Sequence, residues 1–196
     1  MSSTAWIDES MRQHSDRSSV YVLAAAVVSN ADVPAARFDA ARLAPGRRAR
    51  VHYRDADDGE RRKLVQAVAA ITTAAHVVVV GAGMDRRRQE RARRVCLERL
   101  LWRLDGSEVE QVFIEARTAS LNTKDRNAVA QLKQRRIIPG HLRVDFARPH
   151  GAEGDPLLWL PDVVAGVVGT AHGSAGRTSL LAPLRTLLRI EEVALR

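Results

Sequence analysis

Cysteine occurs once in this sequence, at Cys96, so no internal disulfide can form and a reducing cytoplasm is the expected compartment. Aromatic residues make up only 4%, too few for a surface that binds single strands by stacking bases on side chains. No apolar run approaches the ~20 residues of a membrane-spanning helix, so no membrane partner is expected. The polar stretch Met1 to Thr4 lacks the charged and apolar blocks of a secretory signal. Lysine is nearly missing: of 31 basic residues only Lys63, Lys124 and Lys133 are lysines. That usage is what GC-rich coding produces, so abundant arginine does not by itself require a polyanionic partner.

Several chemistries have no support in the motifs. Walker loops, HExxH and paired CxxC are lacking, which removes P-loop and zinc sites. Val80-Gly81-Ala82-Gly83 follows an apolar run, but Arg86 stands where a dinucleotide fingerprint requires its third glycine. It reads as a strand-to-helix turn. Gly173-Ser174-Ala175-Gly176 lacks the spacing of a nucleophile elbow.

What remains is a chain of 196 residues with 45% hydrophobic and 28% charged residues, as expected of one globular domain over residues 1–196. Its formal net charge of +8 is concentrated. From Arg86 to Leu104, eight arginines face two glutamates, a local excess of +6. Arg87, Arg91 and Arg94 lie away from the apolar stripe Cys96, Leu97, Leu100, Leu101 and Leu104, so they form the candidate nucleic-acid contact, with a solvated helix face as the plain alternative.

The apolar patterning predicts strands at Trp6 to Glu9, Tyr21 to Val28, His76 to Val80, Val109 to Ala116 and Leu142 to Ala147. Tyr21 to Val28, apolar throughout, should be central, whereas Leu142 to Ala147 alternates like an edge strand. Helices are expected at about Asp32 to Arg42, Gly59 to Thr73, Met84 to Leu104, Lys124 to Arg136, Leu157 to Thr170 and Ala182 to Val193. Such alternation gives an α/β fold, a mixed sheet of about five strands flanked by helices, with the first two strands antiparallel neighbours.

Three acids then stand out. Asp8 ends the first strand, Glu115 ends a later one, and Asp162 lies near the start of an apolar helix. Side chains at neighbouring strand ends converge on one rim, and three carboxylates there repel one another unless protons or cations intervene. Oxygen ligands with little sulfur or imidazole favour Mg2+ or Mn2+. Two such ions about 4 Å apart can activate a water and stabilise a leaving phosphodiester oxygen. The plain alternatives are an ion pair from Glu115 to Arg117 or to a helical arginine, and helix capping by Asp162.

Trp6-Ile7-Asp8-Glu9-Ser10, Tyr21-Val22-Leu23, Ile114-Glu115-Ala116-Arg117 and the run Asp155-Pro156-Leu157-Leu158-Trp159-Leu160-Pro161-Asp162-Val163-Val164-Ala165-Gly166 together resemble family thirty-eight hundred of the bacterial domains of unknown function. That family looks like a branch of the ribonuclease H-like superfamily, so the resemblance implies that fold and a nuclease. It assigns Asp8 to the first-strand metal ligand, Glu115 to the later-strand acid and Asp162 to the helix ligand. Asp125, Glu9 and Asp55 compete for a fourth acid, and His52 is a candidate proton shuttle. Two departures stand out: Met11 replaces a glycine frequent after the serine, and Pro161 directly precedes Asp162. A catalytically inactive module that binds nucleic acid or a protein partner is the rival reading.

Overall fold

The computed structural model describes residues 2–13, 19–44, 51–83, 86–106, 108–172 and 175–195. Six strands form one mixed sheet: β1 (Ser3–Gln13), β2 (Ser19–Ser29), β3 (Ala74–Ala82), β4 (Val109–Glu115), β5 (Arg143–Ala147) and β6 (Leu188–Ala194). Their spatial order is β5-β4-β1-β2-β3-β6. The β1–β2 and β2–β3 pairs are antiparallel, and the other three pairs are parallel. As expected, β2 is central and β5 lies at an edge.

Among the described residues, five α-helices cover the two faces: α1 (Val33–Ala41), α2 (Asp58–Ala69), α3 (Gln89–Asp105), α4 (Ala119–Gln134) and α5 (Trp159–His172). Alternation along the strands divides the core in two. Trp6, Val22, Ala24, Ala26, Val78 and Val80 pack with α1, α2 and α5. Ala5, Ile7, Tyr21, Leu23, Val79 and Ile114 pack with α3 and α4. The predicted stripe of α3, Cys96, Leu97, Leu100, Leu101 and Leu104, is fully buried in this second core. Burial pushes the Cys96 thiol up to about 12, consistent with an inert core residue.

Caps move two helix starts earlier than periodicity indicates. Asp57 accepts from the Glu60 N–H while Glu60 accepts from the Asp57 N–H, opening α2 at Asp58. Thr118 accepts from the Leu121 N–H, so α4 begins at Ala119 and not near Lys124.

The last expected helix is a strand. A 3-10 segment runs over Ala175–Leu184 with Pro183 inside it, and β6 then pairs with β3 from His76↔Leu188 to Ala82↔Ala194. The outer edge of β3 would otherwise leave its N–H and C=O groups without partners, and that demand outweighs local helical spacing. The sheet thus has six strands, one more than the pattern indicates. Among the described residues, no helix is long and apolar enough to cross a membrane.

Candidate active site

Register brings the first two acids together. Trp6 pairs with Phe113 and Ile7 with Ile114 across the parallel β1–β4 ladder. The Trp6 and Phe113 rings stack at 5.9 Å on the α5 side of the sheet. Two residues further along each strand, on that same face, stand Asp8 and Glu115. Asp8 is only 6% exposed. Its Oδ1 accepts from the Glu9 N–H at 2.7 Å. Burial first, then the nearby Glu115, Glu9 and Asp162 carboxylates, raises the Asp8 carboxyl well above the usual range.

Asp162 enters from the facing helix. Pro161 is the third residue of α5, which follows directly on a 3-10 turn over Pro156–Leu158, and it falls within the first turn, where N–H groups have no partner inside the α-helix itself. The Asp162 carboxylate is gripped by one segment: Oδ2 accepts from the Tyr53 N–H at 2.7 Å, and Oδ1 lies 3.0 Å from His52 Nδ1. Gly166, one turn further along α5, makes this docking possible. A Cβ there would lie 2.2 Å from Tyr53 Cδ1. Gly169 extends the stripe, with the Arg12 chain crossing it and Ser10 Oγ close by. Asp162, Gly166, Ser10, Arg12, His52 and Arg54 border a cleft of about 380 Å³, which Glu9 and Gln89 also line.

The remaining expected residues go elsewhere. Glu9, next to Asp8, falls on the opposite face of the sheet and pairs with buried Arg93 at 2.6 Å. Asp125 is held by Arg93 and Arg117, so it is not the fourth acid of the rim. Arg117 pairs with Glu90 and Asp125 and not with Glu115. Asp55 lies exposed on the turn Tyr53–Asp55. Arg87, Arg91 and Arg94 are exposed as expected, with Arg94 bonded to Gln131 of α4. Arg93 belongs to the same basic run, yet it is 1% exposed. Arg99 and Arg103 share Glu191 and flank the Trp102 ring. Tyr53, Asp155 and Arg93 carry structural roles that periodicity does not signal, since each acts through a partner distant in sequence.

The donor set suits a hard cation: neighbouring carboxylate oxygens, Asp8 raised by burial and then by its neighbours, with no salt bridge to Asp8 or Glu115 among the described residues. Among those residues, no group of three or more His, Cys, Asp or Glu side chains is gathered so as to hold a metal ion directly. Asp8 and Glu115 are neighbours at the β1–β4 strand ends, and Asp162 lies close to Asp8 with both of its own oxygens engaged.

No protein-family model matches the chain, and no curated protein sequence does. Solved structures do. Ribonuclease HII of Archaeoglobus fulgidus, in its complex with PCNA, is similar with a TM-score of 0.56 and 18% identity, over 85% of this chain and 72% of that one. Ribonuclease H2 from Pyrococcus horikoshii gives 0.52 and 13%, over 94% and 76%. Bst-RNase HIII, in complex with Mn2+, gives 0.52 and 14%, over 92% of this chain and 55% of that one. Strand order, mixed pairing and helices on both faces together make this a ribonuclease H-like fold.

Proposed function

We propose that this chain is a nuclease of the ribonuclease H type that hydrolyses phosphodiesters with Mg2+ or Mn2+, and that it belongs to the bacterial family of unknown function its motifs resemble. One observation carries the reading: Asp8 and Glu115 are side by side on a strand rim beneath Asp162, and their mutual repulsion lacks a neutralising arginine or lysine among the described residues. Asp8 and Glu115 would hold the ion, and Asp162 would join them from α5. A bound ion of this kind supplies an activated water and stabilises charge on the leaving oxygen. The chain's own residues do the rest. The Tyr53 N–H fixes the Asp162 carboxylate, and His52, oriented through Nδ1 at the cleft wall, exchanges protons with the reacting groups. Arg12 and Arg54 border the cleft and favour a phosphate-bearing strand there. Arg91 and Arg94 on α3, with Arg87 in the 3-10 turn Arg86–Arg88 just before it, extend the basic surface.

Purified wild type and Asp8→Asn, incubated with labelled DNA, RNA and RNA–DNA hybrid in Mg2+ or Mn2+, test this directly. Cleavage by wild type and none by Asp8→Asn is expected. Equal cleavage by both would overturn the assignment. One observation favours the inactive binding module instead: both Asp162 oxygens are already taken by Tyr53 and His52. Retained nucleic-acid binding with no cleavage under any metal would establish that reading.

A further inference from the structure

We infer that Asp125 is the hub of a buried ion network that sets the spacing of Asp8 and Glu115 from the far side of the sheet, with Arg93 and Arg117 as its two arms. These three are positioning residues for the cation site, and the inference rests on the metal-binding reading above.

The network begins where alternation divides two adjacent acids. Asp8 faces α5, and Glu9 faces α3. Arg93, on α3, reaches Glu9 Oε2 through Nη1 at 2.6 Å and the Tyr21 hydroxyl at 3.2 Å. Its Nε and Nη2 hold the Asp125 carboxylate at 3.1 Å, 3.2 Å and 2.9 Å. Arg117 Nη2 donates to both oxygens of the same carboxylate at 3.0 Å and 3.1 Å, while Nη1 reaches Glu90 at 2.7 Å. Asp125 is 4% exposed.

The chain positions of the two arms matter most. Glu9 directly follows Asp8 and donates its N–H to the Asp8 carboxylate. Arg117 lies two residues beyond Glu115, and its own N–H is fixed by the Asn122 side chain at 2.8 Å. Both strand ends that present the cation ligands are thus fastened to one carboxylate on the opposite face. Two arginines here meet three carboxylates: Glu9, Glu90 and Asp125.

A buried ion cluster is a poor choice for stability alone, because desolvation cancels much of its attraction and apolar side chains of equal volume do as well. It does give directional, bidentate restraints that apolar packing cannot. Asp8 and Glu115 repel each other, so a rim without rear restraint would relax apart. Partners behind the ligands of a metal site are worth about 10- to 100-fold in metal affinity.

The test is a Mn2+ titration of the full chain followed by electron paramagnetic resonance, at a temperature where circular dichroism shows every variant folded. Wild type is expected to bind Mn2+ and Asp8→Asn to lose it. Asp125→Asn and Arg117→Met should each raise the Kd about 10-fold or more, and broaden the Mn2+ signal. Glu110→Gln, exposed near the start of β4 and outside the cluster, should stay within about twofold. Weakening by Arg117→Met separates positioning from ligation, because arginine is not a cation ligand. If Asp125→Asn does not fold, Arg117→Met carries the same expectation. Wild type that binds Mn2+ alongside Asp125→Asn and Arg117→Met of unchanged Kd overturns this inference and leaves the metal site standing. Wild type that binds no Mn2+ overturns both.

Discussion

The indole N–H of Trp6 donates to the Asp155 carboxylate at 2.8 Å, joining β1 to the turn that launches α5. The same carboxylate accepts from Arg37 and from the Leu157 N–H. The two most distinctive stretches of the sequence, one holding Asp8 and the other Asp162, are thereby locked to each other. Asp155 is thus the clamp that keeps the facing acids in register.

Asp155→Ala removes all of these bonds and leaves the Trp6 N–H buried without an acceptor. A loss of about 2–4 kcal/mol is expected, from the unsatisfied donor and the lost cap together. Urea denaturation of the two proteins measures it. Asp155→Asn should lose less, since one oxygen still accepts.

Asp8→Asn should stabilise the metal-free protein while removing its function. The Asp8 carboxyl is raised in the folded state, by burial first and then by Glu115, Glu9 and Asp162. The folded state therefore holds this proton more tightly than the unfolded chain does. Stability from this group is complete below its unfolded value of about 4 and is lost as pH rises through the raised folded value. Asparagine does not titrate, so the neutral-pH melting temperature should rise by roughly 2–4 °C per kcal/mol of repulsion removed. An unchanged melting curve across pH 4 to 8 would contradict the crowding of these acids.

Gly166 and Gly169 should respond differently to alanine. At Gly166 the new Cβ meets the buried Tyr53 ring at 2.2 Å, which must move and carry its N–H away from Asp162. About 1–3 kcal/mol of destabilisation is expected, outweighing a helix-propensity gain of about 1 kcal/mol. At Gly169 the nearest atom is Arg12 Cγ at 3.1 Å, on a flexible chain that can shift. Gly169→Ala should be neutral or slightly stabilising. Thermal melts rank the pair, and the chemical shifts of the His52 ring report the loosening specific to Gly166→Ala.

His76 sits on β3 with both ring nitrogens buried and without hydrogen-bond partners. Burial lowers it from 6.5 to about 4. The unfolded chain therefore takes up a proton that the folded protein refuses, and stability falls as pH drops from 6.5 towards 4. His76→Leu should stabilise at neutral pH by about 1–3 kcal/mol and flatten the acid limb of the stability curve. A stability–pH profile of both proteins checks the sign.

If α3 and the 3-10 turn Arg86–Arg88 before it contact phosphates, replacing Arg87, Arg91 and Arg94 with alanine should flatten the salt dependence of nucleic-acid binding by roughly one unit per lost contact. Folding stability should change by only a few tenths of a kcal/mol, because these side chains lie outside the core. An unchanged salt slope would place the charge of α3 outside the binding surface.

Periodicity alone was enough for the interior strands and the buried stripe of α3, because both are set by apolar spacing along one segment. The acids Asp8, Glu115 and Asp162 stand out as candidates for a related reason: charge at the end of an apolar run has to meet water, a cation or a partner. What no single segment encodes, only the tertiary structure decided. Leu188 to Ala194 became a strand because β3 offered an unpaired edge. Glu9 turned from Asp8 to Arg93 because one residue of strand sends a side chain to the opposite face. Arg93 went into the core because Glu9, Asp125 and Tyr21 converge there from three other elements. The sequence by itself determined which residues could be buried and which charges required answers. The fold decided which partner answered each of them, since ion pairs and strand edges are satisfied by whatever lies adjacent in space and leave no periodic trace along the chain.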